Sequence, residues 1–309
     1  MLFRKQVGNS LKSKSSKDPL KDALAKVQFS EEQIQNILNH CDKRIKNVSA
    51  HVKQLWSEAL ETPDFECVNV SSEGEVHYLL SQLLRITYVI DYIDLVAKSL
   101  PAGDRAKVKL IDIGATQFTF LYKDLFGMDV SAVDKTDLLA KRCHRRGITF
   151  KASDITDGDL PFEDNEFDIC IFTEVLEHLS IAPKKVFIPI KRILKNGGFL
   201  IFSTPNIATL QNRINLLFGR PVLQPIEWVF RDDFETSHPH GLGHVREFTM
   251  IELLNLMNKY SFEIIDKMVI SDSNTIKGEV TIKERINYAL QRIFPSFGMH
   301  CLILARNKK

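Results

Sequence analysis

Apolar and polar positions follow two different rhythms along this chain. Up to about residue 100 the apolar residues recur every three or four positions, the period of an amphipathic helix. One run takes in Ile34, Ile37, Leu38, Cys41, Ile45, Val48, Val52 and Leu55. Ser30 and Gln33 form a capping-box pattern at its start. A second run covers 73–100, through Tyr78, Leu79, Leu83, Ile86, Val89, Ile90, Ile93 and Val96, and Pro101-Ala102-Gly103 ends it. From Lys107 short apolar runs alternate with amphipathic stretches. The pattern predicts strands over 107–113, 129–133, 149–152, 167–172, 199–203, 262–270 and 299–306. Helices are predicted over 184–194 and 249–260, the latter capped by Thr249 with Glu252, and a helical stretch around 283–293. Such alternation predicts an α/β fold, a mostly parallel sheet with helices on both faces. Three parts follow: a basic tail over 1–22, a helical region over 23–103, and a main domain over 104–309 with an irregular Pro-, Gly- and His-rich insertion at 207–246.

Composition changes this picture little. The chain has 309 residues, 44% hydrophobic and 26% charged, with a formal net charge of +2. That charge is too small to imply nucleic-acid or membrane binding. No apolar run reaches the roughly 20 residues of a membrane span, and the N-terminus lacks the apolar core of a signal peptide. Five cysteines without CxxC spacing fit a reducing cytoplasm and no thiolate metal site. The tail concentrates basic residues (Arg4, Lys5, Lys12, Lys14, Lys17) among serines. It reads as a solvated segment, or as a tether to a partner protein or to the inner face of an anionic membrane.

Candidate chemistry gathers at 167–179, FDICIFTEVLEHL. The strand over 167–172 lacks polar alternation, so it should be buried on both faces. Ligands of such sheets bind beyond the carboxyl ends of the strands. A helix opening at Glu174 would put Glu174, Glu177 and His178 on one face at i, i+3 and i+4. Three readings stand for them: acidic residues favoured by a helix N-terminus, His178 as a general base, or a divalent-metal site.

The phrases DLPFEDNEFDICIFTEVLEHL, GGFLIFSTPN and HVREFTMIELLNLM, with Gly114 after the first strand and Asp134 and Asp154 after the next two, form an ordered set. It resembles class I S-adenosylmethionine-dependent methyltransferases, over about residues 107–309. It is similar to a bacterial branch acting on small molecules and glycans, to ubiquinone-biosynthesis O-methyltransferases and to small-RNA 2′-O-methyltransferases. The resemblance implies a Rossmann-like doubly wound sheet of seven strands, the last antiparallel. It implies S-adenosyl-L-methionine as cofactor, held by Asp112, Gly114, Thr116, Gln117, Asp134, Asp154, Ile155 and Thr173. Asp134 would accept from the ribose hydroxyls and Asp154 from the adenine amino group, with Ile155 beside the ring. Thr116 and Phe118 stand where the family has further glycines.

The resemblance also implies a metal held by Glu174, Glu177, His178 and His244. Two carboxylates and two imidazoles suit Mn²⁺, Fe²⁺, Co²⁺ or Zn²⁺ by ligand type, and cellular abundance favours Mg²⁺. Asn206, Arg213, Trp228 and Arg231 of the insertion are candidate substrate contacts. The expected acceptor is a hydroxyl of a sugar or glycan, such as a surface polysaccharide, or of a similar diol-bearing small molecule. Alternatives are a quinol or catechol, the 3′-terminal ribose of RNA, and a non-catalytic, methyltransferase-like interaction protein; assembly as a homo-oligomer is a separate expectation.

Overall fold

The structure is a computed structural model that describes residues 73–100, 105–116, 118–223, 243–270, 290 and 293–309. The basic tail, the first helical run, Gln117, Trp228, Arg231, His238, His240 and most of the 283–293 stretch lie outside the described residues.

Seven strands form one sheet. They are β1 (Lys109–Ile113), β2 (Asp129–Asp134), β3 (Thr149–Ala152), β4 (Phe167–Thr173), β5 (Leu194–Pro205), β6 (Phe262–Ile270) and β7 (His300–Asn307). Their order is β3-β2-β1-β4-β5-β7-β6. The pairs among β1 to β5 are parallel, and β7 runs antiparallel to both its neighbours. The described helices are α1 (Glu73–Ser99), α2 (Phe118–Phe126), α3 (Ala140–Arg145), α4 (Lys184–Ile193), α5 (Leu210–Leu217) and α6 (Met250–Lys259). This is the Rossmann-like, mostly parallel, helix-flanked sheet that the alternation predicted.

Successive strand side chains point to opposite faces, so a strand apolar at every position feeds two cores. On one face Leu110, Val130, Ala132, Ile169 and Ile171 pack against α2 and against Ile86, Val89, Ile93 and Val96 of α1. On the other, Ile111, Ile113, Val133, Phe172 and Phe202 pack against Phe187 and Ile190 of α4 and Leu253 and Met257 of α6. Phe172 stacks on Phe202 at 5.7 Å, and Phe187 meets both rings edge-on. Each fully buried aromatic here contributes roughly 1.5–3 kcal/mol. The last apolar turns of α1 therefore belong to the same core as the sheet.

Three elements differ from the sequence reading. Residues 174–179 do not form an α-helix. Glu174 adopts φ 55°, in the left-handed region, and only a short 3-10 turn follows over Leu176–His178. The chain leaves β4 by a sharp turn, so the i, i+3, i+4 face does not exist. The insertion is not wholly irregular, because Leu210–Leu217 is helical and capped by the Thr209 hydroxyl. Finally, β5 starts at Leu194, before the glycines expected to precede it, and Gly197 takes φ 78° within it.

α6 begins with a complete capping box. The Thr249 hydroxyl accepts from the Glu252 N–H, and the Glu252 carboxylate accepts from the Thr249 N–H. Both orphan donors are thus satisfied where the chain passes from the 243–248 segment into the helix. Thr249→Ala should lower stability by about 1 kcal/mol, read as a lower denaturant midpoint with an unchanged slope.

Candidate functional site

The carboxyl ends of β1 to β4 share one edge of the sheet, and the described members of the expected cofactor set, all but Gln117, lie at that edge. Gly114 leaves β1 with φ 83°, and its N–H donates to the Val133 carbonyl at 2.9 Å. A Cβ at Gly114 would collide with the Val175 side chain. The glycine is therefore needed to bring the turn after β1 against the turn after β4.

Asp112 lies beneath that turn, buried, and accepts from the Thr119 hydroxyl at 2.5 Å. The same hydroxyl oxygen accepts from the Thr116 N–H, and the Thr116 hydroxyl accepts from the Phe118 N–H. Threonine hydroxyls thus brace the loop after β1. Asp134 ends β2, with Oδ1 accepting from the Thr136 N–H and hydroxyl. Asp154 caps the short helix over Ile155–Asp157 through the Thr156 N–H, and Ile155 is buried beside it. Thr173 ends β4, half-buried.

The metal-type residues divide into two groups. Glu177, His178 and His244 each offer a ligand atom, all within 4.8 Å of one another. The His178 and His244 rings lie 5.0 Å apart, and His178 Nε2 is 3.9 Å from Glu177 Oε1. Glu177 is fully buried. Its Oε2 accepts from the Thr204 hydroxyl at 2.9 Å, whereas Oε1 has no hydrogen-bond partner. Burial, with the Glu174 charge nearby, pushes its carboxyl up to about 8. His244 Nδ1 lies 2.8 Å from Glu247 Oε1. With Glu247 ionised, Nδ1 carries the proton and Nε2 presents its lone pair. That contact, more than the opposing burial, raises the His244 pKa. The Val245 and Arg246 N–H groups both donate to the Glu177 carbonyl, which fixes the 243–248 segment against the turn after β4. From buried Glu177 to exposed His178, the cluster opens to solvent.

Glu174 stands outside this cluster. Its Oε1 accepts from the Ser203 hydroxyl at 2.8 Å, and its Oε2 lies 3.1 Å from His300 Nδ1. The Arg85 Nε is 3.9 Å from Oε1, and Gln82 holds that guanidinium from within α1. Burial alone would raise the Glu174 pKa, but the Arg85 and His300 charges overcome it and lower it to about 2. Arg85 Nη1 is itself buried without a hydrogen-bond partner.

Among the expected substrate contacts, Asn206 is committed to the fold. Its amide nitrogen donates to the Ser296 and Gly298 carbonyls, and its Oδ1 accepts from the Ala208 N–H. That leaves no free donor for a substrate and corrects the sequence reading. Arg213 donates to the Ala208 carbonyl and lies over the Phe297 ring.

Sequence reasoning gave no role to Thr204, Glu247, Arg85 or His300. Only Glu247 left a local signal, three residues beyond His244. The others reach the site through the sheet and α1 from distant parts of the chain.

The sequence of residues 111–202 matches a known family, the methyltransferase domain. An uncharacterized protein of Methanocaldococcus jannaschii is 33% identical over 109 residues, 35% of this chain and 48% of the relative. The probable methyltransferase PMT22 of Arabidopsis thaliana is 28% identical over 121 residues, 37% of this chain and 20% of the relative. The chain thus spans about half the length of the archaeal relative and a fifth of the plant one. Among solved structures it is similar to geranyl diphosphate C-methyltransferase of Streptomyces coelicolor, bound to Mg²⁺, geranyl diphosphate and S-adenosyl-L-homocysteine. There the identity is 17%, with 81% of this chain and 88% of that one covered, at a TM-score of 0.49. An S-adenosylmethionine-dependent methyltransferase of Mesorhizobium loti is also 17% identical, covering 69% and 96% of the two chains at a TM-score of 0.45. The matched stretch runs from β1 to β5 and includes Gly114, Asp134, Asp154 and Glu177. Among the described residues no helix is long and apolar enough to cross a membrane.

Asp112 gives the fold a testable pH dependence. Its burial raises its pKa to about 7, with Thr119 and Arg85 opposing and Asp134 adding to the rise. A carboxyl raised above its unfolded value stabilises the fold below the unfolded pKa, and that contribution is lost as pH rises through about 7. Asp112→Asn stays neutral and can still accept from Thr119. It should gain stability over the wild type between pH 4 and 8, by up to about 4 kcal/mol. Chemical denaturation across that range reads the difference, and parallel stability curves would contradict the assignment.

Proposed function

We propose that the protein is an S-adenosylmethionine-dependent O-methyltransferase that uses a divalent metal to activate a hydroxyl of a sugar, a glycan or a similar diol-bearing small molecule. The observation that carries this reading is the unpartnered, fully buried Oε1 of Glu177 beside His178 and His244. A buried carboxylate oxygen with no donor costs free energy unless a cation satisfies it. The raised Glu177 carboxyl has the same cause. One carboxylate and two imidazoles suit Mn²⁺, Fe²⁺, Co²⁺ or Zn²⁺ by ligand type, with Mg²⁺ admitted by abundance. When bound, such an ion lowers the pKa of a coordinated hydroxyl and fixes its direction.

The chain's own residues divide the remaining work. Gly114, Thr116 and Thr119 shape the turn after β1 that receives the methionine end of the cofactor. Asp134 accepts from the ribose hydroxyls, and Asp154 and Ile155 meet the adenine. Thr204 and Glu247 orient Glu177 and His244. The methyl group passes from the sulfonium to the acceptor oxygen, the sulfonium leaves as a neutral thioether, and the hydroxyl proton is lost. Positioning is the main contribution to such an in-line displacement.

Transfer of a labelled methyl group to a panel of vicinal-diol acceptors tests the reading. Activity should vanish in chelator and return with Mn²⁺, and Glu177→Gln should lower it about 100-fold or more. Full activity in chelator would end the metal assignment. Gly114→Ala should weaken S-adenosylhomocysteine binding at least tenfold while His244→Ala leaves it within about threefold, as calorimetry would show.

A further inference from the structure

The two carboxylates after β4 have different environments, and the difference assigns them different roles. Both Glu174 oxygens are engaged, Oε1 by Ser203 and the Arg85 side chain, Oε2 by His300. Only one Glu177 oxygen is engaged, and the other belongs to the imidazole cluster. The left-handed backbone at Glu174 produces this separation. A continuing helix would place residues 174 and 177 on one face, whereas φ 55° followed by a 3-10 turn sends them to different partners.

We infer that Glu174 is a positioning residue and not a metal ligand: Arg85, His300 and Ser203 hold it, half-buried, behind a three-ligand centre made by Glu177, His178 and His244. The inference rests on the metal reading above. Its chemical sense lies in charge and open positions. A divalent ion held by one carboxylate and two neutral imidazoles keeps a net positive charge and sites for two acceptor oxygens. A second carboxylate ligand would neutralise the centre and occupy one of those sites. The Glu174 charge still lies close behind the centre, since the adjacent Ser203 and Thr204 of β5 hold Glu174 and Glu177 respectively. Arg85 comes from α1, so docking of that helix supplies the counter-charge that holds Glu174 in place.

The test uses the full chain with Mn²⁺ and Co²⁺ as probes. Wild-type protein should bind one Mn²⁺ by calorimetry, and Glu177→Gln should weaken that binding about 100-fold. Glu174→Gln, which keeps the shape and can still accept from Ser203, should change it less than about threefold while shifting the visible absorption bands of the Co²⁺ form. Loss of Mn²⁺ affinity in Glu174→Gln to the level of Glu177→Gln overturns the inference by making Glu174 a ligand. Unchanged affinity with an unchanged Co²⁺ spectrum overturns it by leaving Glu174 a merely structural role. Wild-type protein that binds no Mn²⁺ overturns the metal reading itself, and the inference with it. Should Glu174→Gln not fold, a crystal structure of the wild type grown with Mn²⁺ decides: Glu174 still on Ser203 and His300 supports the inference, and a Glu174–Mn²⁺ bond ends it.

Discussion

The structure of the site depends on how two carboxylates are kept ionisable inside the protein. Burying a charge without compensation costs several kcal/mol, so each buried carboxylate needs a partner of its own. Glu174 has Arg85, His300 and Ser203. Glu177 has one hydroxyl, one bare oxygen and two imidazoles within reach. The first arrangement is complete within the chain. The second leaves one oxygen unpartnered, and a cation among those residues would satisfy it.

Much of the surrounding architecture serves that arrangement. The parallel strands bring the ends of β1 to β4 to one edge. The missing side chain of Gly114 lets Val175 approach, so the turn after β1 and the turn carrying Glu174 pack directly on each other. Two N–H groups of the 243–248 segment clamp the Glu177 carbonyl, and the capping box at Thr249 anchors that segment to α6. Through Arg85, α1 contributes charge to the site as well as apolar surface to the core.

The sheet was legible in the sequence because its strands are short apolar runs separated by amphipathic stretches, and each predicted strand exists. Asp134 and Asp154 were legible because strand ends in such a sheet face one edge. The turn after Thr173 was not. EVLEHL has helical spacing, and nothing local announces a left-handed backbone at a glutamate. Helical spacing and the resemblance grouped Glu174 with Glu177, His178 and His244, whereas the left-handed turn sends Glu174 to Ser203 and His300. His300 and Arg85 were invisible for another reason, since they meet Glu174 only after β7 pairs with β5 and α1 docks on the sheet. Asn206 looked available because a polar residue after a strand end usually is, yet β7 and the 293–299 segment bury it.

The account stands on the edge of β1 to β4 being a methyl-donor site, with a loop after β1 braced by threonine hydroxyls. Calorimetric titration of the full chain with S-adenosylmethionine and S-adenosylhomocysteine measures this directly. The account predicts a single site per chain with micromolar affinity for both compounds. The absence of binding heat for either one at high micromolar protein would contradict it.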